Sequence, residues 1–148
     1  FTPKSTEQYP ENRKTTLHVA PRHRGRLVFK RDESENYKCV ACLMCEKACP
    51  TGTIRITSEM QQDPETGRKK RALLDYQYDL GDCMFCQLCV NACNFDAIKF
   101  TNDFENAVFD RSKLVLHLNE EVYKGGSLPN LIDGGADWEV GTFNTKKK

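Results

Sequence analysis

Apolar and polar residues alternate with period two at three places along the chain. "TIRIT" at 53–57 and "AIKFT" at 97–101 each put their aliphatic or aromatic residues on one side, and "LLDYQYDL" at 73–80 repeats the pattern. Alternation of this kind predicts half-buried strands. Further on, Leu114 and Leu118 stand at i, i+4 spacing and predict a short helix from Asp110 to Leu118. No run of 18 apolar residues occurs, so no membrane span is expected, and no apolar signal-peptide core is present.

The first two strands belong to a longer repeat. Every cysteine of "CVACLMCEKACP" (39–50) recurs 44 residues later in "CMFCQLCVNACN" (83–94), pairing 39 with 83, 42 with 86, 45 with 89 and 49 with 93. The strands after the two motifs follow the same offset. In each half a cysteine loop is expected to lead into a short helix carrying the fourth cysteine, at Ala48–Cys49 and Ala92–Cys93, and then into a strand. The fold class this predicts is α+β: a ferredoxin-like domain with a pseudo-two-fold, an extended N-terminal arm and an irregular C-terminal tail.

Composition narrows the chemistry. With 148 residues, 39% of them hydrophobic and 29% charged, the chain has little apolar surface to bury, and thin cores are commonly held together by disulfides, metals or partners. Eight cysteines supply three candidate staples. A disulfide scaffold is disfavoured because 8 in 148 falls below the cysteine density of such folds. Two four-thiolate zinc sites are the serious competitor, although structural zinc sites usually draw ligands as separated pairs.

A pair of [4Fe-4S] clusters fits the spacing best. C-x2-C-x2-C wraps one loop around a cubane and supplies three thiolates, and the cysteine after the x3 gap points to the other cluster, the exchange found in two-cluster ferredoxins. The expected ligand sets are therefore Cys39, Cys42, Cys45 and Cys93 for one cluster, and Cys83, Cys86, Cys89 and Cys49 for the other. All eight thiols are then ligands, no catalytic side chain remains, and the available chemistry is one-electron transfer. Leu43, Met44, Phe85, Leu88 and Ile98 fit a water-excluding shell around the loops. Iron in the protein would distinguish this reading from zinc.

The flanks divide the chain into a basic arm (1–34), the two-cluster domain (35–102, repeats 38–57 and 82–101) and a C-terminal extension (103–148). Residues 1–31 hold eight Lys or Arg against Glu7 and Glu11. Pro3, Pro10 and Pro21 discourage helix there, so an extended segment laid over a neighbouring surface is expected. No aromatic platform or reading helix accompanies the charge, which argues against nucleic acid. Between the repeats a turn is expected at 63–67, and "RKKR" at 68–71 reads as a solvated face. His18, His23 and His117 read as structural or surface residues.

"QYPENRK", "PRHRGRLVFKR", "KCVACLMCEKACPTGTIRI" and "DCMFCQLCVNACNFDAIKFTNDFENA" together resemble the two-[4Fe-4S] subunit I of respiratory complex I, NADH:quinone oxidoreductase. The resemblance covers roughly residues 8–118, and Tyr9–Pro10, Arg24–Gly25–Arg26 and "DFE" at 103–105 separate it from other ferredoxins. It departs from the family at Asn94, where proline is usual, and at Gln87, where glycine is common; both leave ligation intact. The resemblance implies a subunit of a proton-translocating oxidoreductase that relays electrons from the NADH side toward the terminal cluster that reduces quinone; the alternatives are the equivalent subunit of a membrane-bound hydrogenase or ferredoxin-fed relative, or a soluble two-cluster ferredoxin. It implies partners among the terminal-cluster and quinone-site subunits and peripheral membrane contact. The expected place is the cytoplasmic side of a bacterial inner membrane, with the mitochondrial matrix side as second choice.

Overall fold

The structure is a computed structural model, and it describes residues 6–13, 15–34, 36–62 and 67–120. Its elements are β1 (Leu27–Phe29), α1 (Met44–Ala48), β2 (Ile54–Gln62), β3 (Lys69–Asp79), α2 (Leu88–Asn91), β4 (Ile98–Phe100) and β5 (Val115–His117). They form two small antiparallel sheets, β1–β4 and β2–β3–β5. This is the mixed α and β composition expected. The strand entering the first cysteine loop pairs with the strand leaving the second, Leu27 opposite Phe100. The strand entering the second loop pairs with the strand leaving the first, Ile54 opposite Tyr78.

Between the sheets lies a core of Leu27, Ile54, Tyr76, Tyr78, Leu80, Val90, Ile98 and Phe100 that includes the sulfur-bearing side chains of Cys45 and Cys89. Period-two alternation explains the register: Tyr76, Tyr78 and Leu80 point inward while Gln77 and Asp79 are only half-buried. Helices α1 and α2, each barely a turn long, pack on one another. Such helices are marginal by themselves and persist because the loops and sheets hold them. Glu46 ties α1 to the sheet by accepting the Ile56 amide N–H at 3.2 Å.

Several expectations need correction. The fourth cysteine of each motif lies past its helix rather than in it. Cys49 caps α1 with extended backbone, as a residue before proline prefers, and Cys93 follows the cap residue Ala92. The helix expected at 110–118 is a single 3-10 turn, Arg111–Leu114, capped by the Asp110 carboxylate on the Ser112 amide, and then β5. Leu114, Leu116 and Leu118 fit either period, and pairing with β3 decides for the strand, burying Leu116 and Leu118.

The connection between the repeats is mostly an extended hairpin, because β2 runs on to Gln62 and β3 starts at Lys69. Lys69–Arg71 are exposed there, within a strand. Of the expected turn, 63–66 lies outside the described residues, as does the tail from 121.

The basic arm is only partly an arm. Leu27 and Val28 are buried in the core, so β1 belongs to the domain although it falls within 1–34. Upstream, the arm bends through turns at 9–13 and lies back on its own chain. Tyr9 and Arg13 both bind the Glu105 carboxylate, and the Gly25 and Thr101 amides exchange bonds with Thr101 and Arg26 carbonyls at 2.8 Å.

Candidate functional site

Each cysteine loop turns through two left-handed residues at matched places. Ala41 and Leu43 have φ of 50° and 65°, and Phe85 and Gln87, 44 positions on, have 51° and 70°. Non-glycine residues rarely adopt this region, and they cluster where the surroundings impose it. The consequence is local: backbone N–H groups turn back toward the cysteines. Ala41 N–H donates to Cys39 Sγ at 3.5 Å and Phe85 N–H to Cys83 Sγ at 3.3 Å.

The loops and strands enclose two cavities. One is bordered by Cys39, Cys42, Cys45 and Cys93 together with Val40, Ile56, Tyr76, Phe95, Ala97 and Ile98. The other is bordered by Cys49, Cys83, Cys86 and Cys89 together with Thr51, Thr53, Ile54, Tyr78, Met84, Gln87 and Phe100. Their atom-free spaces are alike, about 320 Å³ and about 290 Å³, each including its mouth toward solvent. Each cavity therefore gathers three cysteines from one loop and the fourth from the other repeat. The thiols border these spaces rather than meeting at a point: among the described residues, no three His, Cys, Asp or Glu converge as a single metal ion requires.

Strand β3 serves both cavities, since Tyr76 and Tyr78 stand two residues apart on its inner face. The Tyr76 hydroxyl donates to Cys45 Sγ at 3.3 Å. The Tyr78 hydroxyl is buried without a hydrogen-bond partner among the described residues, and burial beside Cys83 holds its proton well above the usual phenol range. Gln87 Nε2 is buried and unpartnered in the same way. Buried donors without partners at the wall of a cavity bordered by four thiols suit an anionic sulfur-rich group, which can accept their hydrogen bonds.

The thiols differ in acidity with their surroundings. Burial pushes Cys39 up to about 11 and Cys89 up to about 12. Burial also acts to raise Cys49, but the Thr53 and Thr51 hydroxyls, with backbone donors, bring it down to about 7. The hydroxyl contacts are 3.3 Å for Thr53 and 3.6 Å for Thr51. Opposite, Cys93 Sγ accepts the Ala97 N–H at 3.3 Å.

Sequence reasoning missed the two tyrosines, the threonines at Cys49 and the amide of Gln87 as part of the site. The threonines lie two and four residues after Cys49, a spacing that could have pointed to them. Of the expected shell, Ile98 is buried and Phe85 packs on the core, whereas Met44 and Leu88 are exposed large hydrophobics. Asn94 is exposed.

The 4Fe-4S dicluster domain family matches residues 38–97, which contain all eight cysteines. NADH-quinone oxidoreductase subunit I 2 of Symbiobacterium thermophilum is 38% identical over 121 residues, 81% of this chain and 48% of that protein. Its counterpart of the same name in Geobacter metallireducens is 37% identical over 110 residues, covering 74% of this chain and 77% of that protein. The chain belongs to the NADH-quinone oxidoreductase subunit I family.

As a member with a dicluster domain and eight cysteines, it has two [4Fe-4S] clusters as cofactors. The chain spans about half the length of the Symbiobacterium subunit I and more of other members, 64% in Pseudomonas fluorescens at 38% identity. A chain of an archaeal membrane-bound sulfane sulfur reductase aligns with 25% identity over 77% of this chain and 53% of its own, with a TM-score of 0.47. No helix among the described residues of this subunit I relative is long and apolar enough to cross a membrane.

Proposed function

We propose that this chain relays single electrons through two [4Fe-4S] clusters within an NADH:quinone oxidoreductase, from the NADH side toward the quinone-reducing terminal cluster. Cys39, Cys42, Cys45 and Cys93 hold one cluster, and Cys49, Cys83, Cys86 and Cys89 hold the other. The observation that carries this reading is the crossing of the repeats: each cavity is bordered by three cysteines of one loop and the fourth of the other.

Bound there, the clusters supply reversible one-electron transfer. The protein holds them with thiolates, keeps water away with Ile56, Ile98, Ile54 and Phe100, and supplies hydrogen bonds to sulfur from Tyr76 and backbone amides. With all eight thiols engaged, the clusters are closed to substrate. The two halves are related by a pseudo-two-fold, supported by the matched left-handed residues and by the reciprocal pairing of β1 with β4 and β3 with β2. The chain sits at the membrane periphery, on the cytoplasmic side of an inner membrane, against the subunits that carry the terminal cluster and the quinone site. The names of its relatives support the assembly.

The test is the native mass and activity of the particle that carries this chain after gentle detergent extraction of membranes. A large assembly that oxidises NADH with a quinone acceptor is expected. A lone chain near its own mass would overturn the reading.

A further inference from the structure

The two cavities have matched backbones but unmatched walls. Taking residues 44 apart, Gln87 in the second cavity stands where Leu43 stands in the first loop, and Thr53 stands where Ala97 stands; Thr51 corresponds to Phe95. At each of these three places the second cavity carries a hydrogen-bond donor, while the first repeat has an apolar residue, Phe95 and Ala97 on the wall of the first cavity and Leu43 in its loop. Tyr76 donates to Cys45 Sγ beside the first cavity, whereas the Tyr78 hydroxyl at the second has no partner among the described residues, so the tyrosines give the first cavity one donor to sulfur against the three places above.

Gln87 is the decisive residue of the three. Its side chain is only 7% exposed, and its amide nitrogen finds no acceptor among the described residues. A buried amide left without a partner forfeits its hydrogen bond to water with nothing in return, so a polar side chain at this position needs something to bind. An amide can present either end, and an anionic group selects the N–H end while repelling the oxygen. Gln87 also holds φ at 70°, a conformation that glycine would adopt without strain.

We infer that Gln87, with Thr53 beside it, hydrogen-bonds the cluster held by Cys49, Cys83, Cys86 and Cys89 and makes it the higher-potential cluster of the pair. This rests on the cluster reading above and adds a direction to it. Donors to sulfur stabilise the extra negative charge of the reduced state and so raise the potential. Arg71 is a competing charge, donating to the Ala41 carbonyl at 3.3 Å in the first loop. Its side chain is exposed, where solvent and salt screen it, whereas Gln87 and Thr53 act from buried positions at the cavity wall. Electron transfer from the first cavity to the second is therefore downhill, and the electron rests on the second cluster.

The experiment is a redox titration followed by electron paramagnetic resonance on the intact detergent-extracted complex, with Gln87→Leu and Leu43→Gln as reciprocal variants. Cys86→Ser and Cys42→Ser identify the two signals by removing one each. Gln87→Leu is expected to lower the midpoint of the signal that Cys86→Ser removes and leave the other in place. Leu43→Gln is expected to raise the midpoint of the signal that Cys42→Ser removes. Unmoved midpoints in both variants, or a shift of the wrong signal, would overturn the inference while leaving the clusters themselves established. Absence of both cluster signals from the unaltered complex would instead remove the reading on which it rests. Should Gln87→Leu fail to assemble, Leu43→Gln and Thr53→Val, which keeps the threonine shape and drops its hydroxyl, decide the matter by the same two criteria.

Discussion

The Tyr76 hydroxyl donates to Cys45 Sγ at 3.3 Å from a fully buried position on β3. A phenol with no other outlet for its proton is a fixed donor to the thiolate. Tyr76→Phe removes that donor and keeps the ring, so the first cluster's midpoint is expected to fall, widening its gap to the second. The fold should lose only about 0.5–1.5 kcal/mol, the usual net value of one hydrogen bond. Titration of the intact complex reads the first quantity and thermal unfolding the second; an unchanged midpoint would mean that the hydroxyl does not act on the cluster.

Cys93 lies in the second motif but borders the cavity of the first. Cys93→Ser should therefore perturb or abolish the signal that Cys42→Ser removes, and spare the one that Cys86→Ser removes. Iron analysis alone would not separate crossed from uncrossed ligation, because either arrangement loses one cluster. The shared signal between Cys93→Ser and Cys42→Ser is the discriminating result.

What could be read from the sequence followed from how local each signal was. Eight cysteines at fixed spacing and two alternating strands, 53–57 and 97–101, needed only neighbouring residues to be recognised. The outer half of the β2–β3 hairpin did not show because "SEMQQ" and "KKRA" are polar on both faces, leaving no period to detect; the pairing of Glu59 with Ala72 and Gln61 with Lys70 comes from the hairpin itself. β1 was hidden inside a basic stretch, since three residues, Leu27–Phe29, are too few to establish a period. The walls of the cavities were the least legible part. Tyr76 and Tyr78 reach the cysteines only through tertiary pairing, and nothing in their own neighbourhoods marks them as donors to sulfur, while Gln87, inside the second motif, shows in the sequence only as a departure from glycine.

Glu105 fastens the N-terminal segment to the domain. Its carboxylate receives both the Tyr9 hydroxyl and the Arg13 guanidinium, while Phe104 next to it meets the rings of Tyr9 and His23. Glu105→Ala leaves the aromatic contacts and removes the polar anchor. Limited proteolysis of the complex should then cut the arm ahead of Leu27 faster than in the unaltered protein, with both cluster signals unchanged. Equal cutting rates would mean that the aromatic contacts hold the arm without the carboxylate.

Gly25 is required for space rather than for backbone freedom. A Cβ built at this position would stand 1.9 Å from the Asp103 carbonyl oxygen and 2.5 Å from its carbon, both backbone atoms that cannot swing aside. The approach is fixed from two sides, since the Gly25 amide donates to the Thr101 carbonyl at 2.8 Å and Asp103 N–H is turned toward the Thr101 hydroxyl. Gly25→Ala must push β1 away from β4 or distort 101–103. Overpacking of this kind costs about 1–3 kcal/mol and occasionally more. Because Phe100, paired with Leu27 at this end of the sheet, borders the second cavity, the loss should appear as a lower melting temperature together with reduced iron retention at the second cluster, the signal that Cys86→Ser removes. A variant that melts normally and keeps both clusters would show that the 101–103 segment yields to the extra methyl group without disturbing the sheet.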